Sequence, residues 1–158
     1  MYSGVWWRAA ATGAVSALLA VAPAVAAPAW ADGGAELVLV PPGAVEVRSG
    51  GRSTLHAEVV NVGTESTDET VTISIGLAPG VFIMQPLPSA CRPMPFGHST
   101  TCTFPGGLRP GQVDSVDLGI VTSQGLDPGT RIGGVSASTT CGLPVQGSPT
   151  HFPIVVLP

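Results

Sequence analysis

Three histidines, three cysteines and ten carboxylates are the side chains of this 158-residue chain that could carry acid–base, nucleophilic or metal chemistry. His56, His98 and His151 stand in three separate segments. A hydrolytic serine needs a base within hydrogen-bond reach and an acid that orients the base. His98 and Ser99 are chain neighbours, which defines no such geometry, and there is no Gly-x-Ser-x-Gly elbow. No acid is placed along the chain to orient a histidine, so no catalytic residue is assigned. His56 falls on the polar side of an alternating stretch and reads as a solvated imidazole. No His-x-x-x-His or Cys-x-x-Cys spacing offers transition-metal ligands. Glu65, Asp68 and Glu69, and separately Asp114 with Asp117, have the hard oxygens calcium prefers, but neither group follows a dedicated calcium loop. Solvated turns and wet strand faces account for both. These acids sit on turns, without the aromatic-lined cleft that paired glycosidase carboxylates require. No metal or cofactor is expected.

Composition narrows the partners. The formal charge is −4 and there is no lysine. A nucleic-acid partner would need a basic stripe, and none is present. Aromatics are 5% of the chain, and Tyr2, Trp6, Trp7 and Trp30 all fall near its start, which leaves little for stacking on sugars or bases.

Residues 1–31 have the pattern of a secretory leader. Arg8 supplies positive charge, Ala9–Ala22 is an apolar run short for a membrane span, and Ala29-Trp30-Ala31 is a small-x-small cleavage site before Asp32. Ala24-Val25-Ala26 is a second candidate site, and retention as an amino-terminal anchor is the alternative. Cleavage would leave residues 32–158, about the size of one sandwich domain, secreted or associated with the cell wall and not membrane-bound.

The elements that must position any site are strands. Val71, Ile73, Ile75 and Leu77 alternate with Thr70, Thr72, Ser74 and Gly76, a period of two with one apolar face. Leu55, Ala57 and Val59 repeat it against His56 and Glu58, and Gly63–Glu69 between them is a polar connection. The two strands read as neighbours that a second layer must cover. Further segments are Leu37–Val40 ending at Pro41-Pro42, Ala44–Arg48, Val81–Met84, Thr100–Phe104, Val116–Ile120, Val135–Cys141 and Phe152–Leu157. About eight or nine short strands at 8–12-residue intervals predict an all-β, antiparallel, immunoglobulin-like sandwich.

The order of motifs carries a resemblance. Asn61-Val62-Gly63 follows a strand, Ala78-Pro79-Gly80 precedes the next, Cys91 and Cys102 come after, and Leu108-Arg109-Pro110-Gly111 introduces another alternating strand. Residues 43–141 resemble the immunoglobulin-like repeat domains of bacterial surface and secreted proteins known as the DUF11 group. The resemblance implies a β-sandwich with a structural or adhesive role and no catalysis. The chain departs from the group in its single copy, its added last strand and Cys141.

Three cysteines allow three pairings with one left over. Cys91 and Cys102 are the closest and match the group's pair, so the resemblance implies a disulfide there. Cys141 shares the parity of Val135 and Ala137 and reads as a buried free thiol, with an intermolecular bridge as the alternative. The expectation is a monomeric, exported, non-catalytic structural or binding module with a protein or cell-wall partner. Two rivals stand beside it: a small secreted hydrolase or metal-dependent enzyme, which would bring His98 against an acid, and a subunit that exchanges a strand with a neighbour.

Overall fold

A computed structural model describes residues 33–158. The leader and both cleavage sites lie outside the described residues. The described residues form eleven strands: β1 Leu37–Val40, β2 Val45–Arg48, β3 Arg52–Asn61, β4 Val71–Gly76, β5 Val81–Ile83, β6 Cys91–Pro93, β7 Ser99–Phe104, β8 Val113–Thr122, β9 Gly129–Thr139, β10 Val145–Gln146 and β11 Thr150–Leu157. They make two sheets, a five-stranded one in the order β10-β1-β3-β8-β5 and a six-stranded one in the order β2-β11-β9-β4-β7-β6. The all-β sandwich is as expected. Two departures follow from how the chain moves between layers.

The first concerns β3 and β4. They are not neighbours in one sheet: β3 belongs to the five-stranded sheet and β4 to the six-stranded one. The polar segment 62–70 is a crossover, so the apolar faces of these two strands cover each other. Leu55, Ala57 and Val59 on one side and Val71, Ile73 and Ile75 on the other are all buried. Val116, Leu118 and Ile120 do line the sheet opposite Ile73, and β3 is the strand of that sheet nearest to β4.

The second is that the sheets are not purely antiparallel. β1 runs parallel to β10, and β2 runs parallel to β11. After β1 the chain passes through Pro41-Pro42-Gly43 into the other sheet, and after β10 it does the same through Gly147-Ser148-Pro149. Proline lacks the N–H a ladder needs, so each crossover begins or ends where pairing must stop. The crossovers lie side by side, and a Cβ on Gly147 would sit 3.1 Å from the Leu39 carbonyl.

Phe152 of β11 fills the core over Gly133 of β9, where an added Cβ would lie 2.4 Å from the phenyl Cζ. Asn61 closes one end. Its Oδ1 accepts from the Gly63 N–H at 3.0 Å and the Glu36 N–H at 3.3 Å. Its Nδ2 donates to the carbonyls of Glu65 at 2.8 Å and Leu108 at 2.9 Å. The Asn-x-Gly and Leu-x-Pro-Gly motifs are therefore one clamp. Gly63 is required there, since a Cβ would come within 2.4 Å of the Glu36 nitrogen.

Candidate functional site

His56 is better supplied with acids than its sequence context suggests. β3 and β8 pair antiparallel with His56 opposite Asp117, while Glu58 is the next residue on the same face of β3. Nδ1 lies 2.8 Å from Asp117 Oδ1 and Nε2 lies 3.1 Å from Glu58 Oε2. The hydrogen bonds that the ring donates to Asp117, and then to Glu58, raise the imidazole above its ordinary pKa of 6.5. A ring held by carboxylates at both nitrogens is stabilised as imidazolium and keeps no free lone pair for a substrate proton. The expected absence of an acid near a histidine is thus corrected at His56, yet the arrangement is an exposed charge cluster and not a base.

His98 meets no acid among the described residues. Its Nδ1 lies 2.8 Å from the Val81 carbonyl, its own carbonyl accepts from the Leu77 N–H at 2.7 Å, and its ring lies 4.4 Å from the Phe82 ring. These contacts fasten the loop before β7 to β5. Ser99 is the first residue of β7 and His98 has no hydrogen bond to it, so the neighbouring pair is not a nucleophile and its base.

The carboxylate groups also part company. Glu69 accepts from the backbone N–H of Cys141 at 2.9 Å and of Leu143 at 3.5 Å, holding the turn after β9. The Thr139 hydroxyl foremost, and then the Cys141 N–H, pull its carboxyl below the ordinary value of 4.5. Asp114 and Asp117 lie three residues apart on β8, an odd spacing that puts them on opposite faces of the strand. They cannot share one cation. Burial raises the Asp114 carboxyl. Among the described residues no three His, Cys, Asp or Glu side chains converge as metal ligands.

Cys91 and Cys102 are bonded and face each other across β6 and β7. Cys141 is a free thiol, but it is exposed. The expectation of burial fails because β9 ends at Thr139, two residues before the alternation would have carried Cys141 inward. The disulfide fixes one end of a loop whose tip is apolar. Met94 is 47% exposed and Phe96 90% exposed, and Phe96 has φ of 73°, where a side chain is strained. Nothing in the residue types around Phe96 signals this, because proline-rich loops give no periodicity to read.

The loop borders the outer face of the six-stranded sheet. Gly76 of β4 and Gly134 of β9 lie side by side in register, flanked by Ser74 and Ser136 in the next row. They floor an open groove of about 370 Å³ with Met94 on one wall and Pro149 and His151 on the other. Along β9 the same face continues to Ile132, 57% exposed and paired with Pro153. Glycine and hydroxyl side chains leave this face flat and uncharged, which suits contact with another surface better than chemistry on a small molecule.

No family model and no curated protein matches the chain. Among solved structures, the sandwich is similar to those of cohesins. The solution structure of CaCohA2 from Clostridium acetobutylicum is similar with a TM-score of 0.58 at 11% identity, over 77% of this chain and 90% of that one. A chain of the Coh-OlpA–Doc918 complex, a type I cohesin–dockerin complex from Clostridium thermocellum, gives 0.54 at 10% identity, over 77% and 99%. The non-cellulosomal cohesin of the archaeon Archaeoglobus fulgidus gives 0.52 at 10% identity, over 78% and 92%. At these identities the likeness establishes a shared fold.

Proposed function

We propose that this protein is an exported, non-catalytic module of the bacterial envelope or extracellular space that works by binding another protein chain. The observation that carries the reading is the outer face of the six-stranded sheet: uncharged across its centre, open, and edged by the exposed apolar residues Met94 and Ile132, with exposed Phe96 two residues beyond Met94 in the same loop. Contiguous exposed apolar groups on a soluble domain mark interaction sites. Two further facts support it. The cohesins of the same fold include ones solved in complex with dockerins, and a disulfide suits an oxidising compartment outside the cytoplasm.

The hydrolase alternative has little to stand on, since both nitrogens of His56 are engaged by carboxylates and His98 is bound to backbone. Residues 32–158 immobilised as bait, against the envelope fraction of the producing cell, test the proposal. A protein retained by the wild-type bait and lost from a Phe96→Ser, Ile132→Ser bait is the expected result. Identical retention by both baits, or none by either, overturns it.

A further inference from the structure

We infer that the bare edge of β8 takes up one extended segment of a partner protein as an added strand, with a lysine or arginine of that segment set against Asp114. The edge belongs to the five-stranded sheet, so the inference is separate from the outer face of the other sheet. No strand of this chain is given up. Three observations lead to it.

The first is a ladder that stops early. β8 is ten residues long and pairs with β3 from Val113 to Val121. On its other side β5 covers only Ile120, Val121 and Thr122. The Met84 N–H adds one bond to the Gly119 carbonyl, and the chain then leaves for β6 in the other sheet. Successive residues of an antiparallel strand bond to opposite neighbours. Gln112 accepts from Asn61 of β3, whereas Gly119 accepts from Met84 on the β5 side. The odd positions Val113, Ser115 and Asp117 therefore aim their N–H and C=O groups at the bare side. A row of unpaired backbone groups is a template for an extended chain.

The second is an acid without a cation. Asp114 has the inward parity of buried Val116 and Leu118 and lies opposite Val59. Its Oδ2 is buried with no hydrogen-bond partner. Among the described residues the ion pairs are those of His56, and none reaches Asp114. Burial raises its carboxyl above the ordinary value of 3.8. On an added strand the residue opposite Asp114 shares its face and sits in a non-hydrogen-bonded pair, where side chains approach most closely. A basic residue there supplies the missing charge. A second copy of β8 does not, because Val113–Thr122 contains no basic residue and would set two Asp114 carboxylates on one face.

The third is room. An open groove of about 360 Å³ lies beside Val113 and Asp114, walled by residues 105–108 and Gln112. Gly106 and Gly107 add no side chain to that wall, which leaves space for a long one from outside.

The probe is acetyl-Thr-Val-Thr-Lys-Thr-amide. Laid antiparallel to β8 from Asp117 to Val113, it places lysine opposite Asp114. Amide exchange on residues 32–158 reads the edge before peptide is added. Val113, Ser115 and Asp117 should exchange fast, and Asp114, Val116 and Leu118, bonded to β3, should be protected. Peptide at about 5 mM in about 0.15 M salt slows the first three by about sixfold for a Kd of about 1 mM, since protection is 1 + [peptide]/Kd. Asp114→Asn weakens the lysine peptide by about fivefold or more without lowering the urea midpoint. Glutamate in place of lysine makes the same test on the wild-type chain, whatever the variant's folding. Proline in place of the central threonine, which faces Ser115, abolishes the protection by removing an N–H. Protection of all six amides before peptide is added, no slowing at 5 mM, or equal binding of the lysine and glutamate peptides would each overturn the inference. Slowing confined to β4 and β9 would also overturn it, and would leave the binding-module reading standing.

Discussion

Asn61 is fully buried, and each polar atom of its amide serves two backbone partners. Asn61→Ala strands the Glu36 and Gly63 N–H groups and the Glu65 carbonyl at the end of the sandwich, while the Leu108 carbonyl keeps the Thr67 N–H. A buried group left without its partner costs about 1–3 kcal/mol, so the expected loss in urea unfolding is at or above the top of that range. A loss under about 0.5 kcal/mol, the scale of an ordinary surface change, would mean water replaces the amide freely. Ile73 tests the register by a different route. It is fully buried, and Ile73→Ala should cost about 2–5 kcal/mol, while Thr72→Ala on the outer face should cost less than about 1 kcal/mol. Equal losses would mean that both faces of β4 are covered, and a simple two-layer sandwich would not account for them. Ile73 was legible in the sequence because alternation reports burial directly. Cys141 was not, since alternation says nothing of where a strand stops. Its exposure has a direct check: a thiol reagent should label Cys141 in the native protein, with Cys91 and Cys102 unreactive until reduced.

At the scale of elements, function depends on which strands meet. His56 and Asp117 are 61 residues apart in sequence and are joined only by the β3–β8 register. The segments around Ile73 and Leu118 were readable as strands from their clean alternation. β6 and β10, three and two residues long beside proline and glycine, were not. Nor does a polar connection reveal whether it returns within a sheet or crosses to the other, which is why β3 and β4 read as neighbours. The His56 cluster makes stability depend on pH with a definite sign. Its folded pKa is raised, so its contribution is complete below 6.5 and is lost as pH rises through the raised value. Glu69 acts in the other direction: its folded pKa is lowered, so its contribution is complete above 4.5 and is lost as pH falls through the lowered value. As far as these two groups go, stability is greatest between those values. An NMR titration should place the His56 midpoint above 6.5, and Asp117→Asn should move it down. A midpoint unmoved by that substitution would count against the hydrogen bond between β3 and β8.

For the whole molecule, the parallel pairs matter more than any single contact. The first strands and the last strands switch sheets together, β1 beside β10 and β2 beside β11. The two ends of the sandwich domain are thereby sewn into both layers, and β11 lies inside the six-stranded sheet with β2 on one flank and β9 on the other. Phe152, Ile154 and Val156 of β11 are at most 2% exposed. Burying three such side chains contributes on the order of 5–9 kcal/mol, against a total stability of about 5–15 kcal/mol for a domain. Removing residues 150–158 takes away that burial, leaves β2 without its ladder and bares the flank of β9. The truncated chain is therefore expected to lose its fold entirely, with no surviving nine- or ten-strand remnant, and its amide proton spectrum should collapse to the narrow range of an unfolded chain. A dispersed spectrum would show that the remaining strands close without β11. Adding the 150–158 peptide back separates the last possibility: if dispersion returns, β11 can be supplied from outside, and the strand-exchanging subunit regains a physical basis.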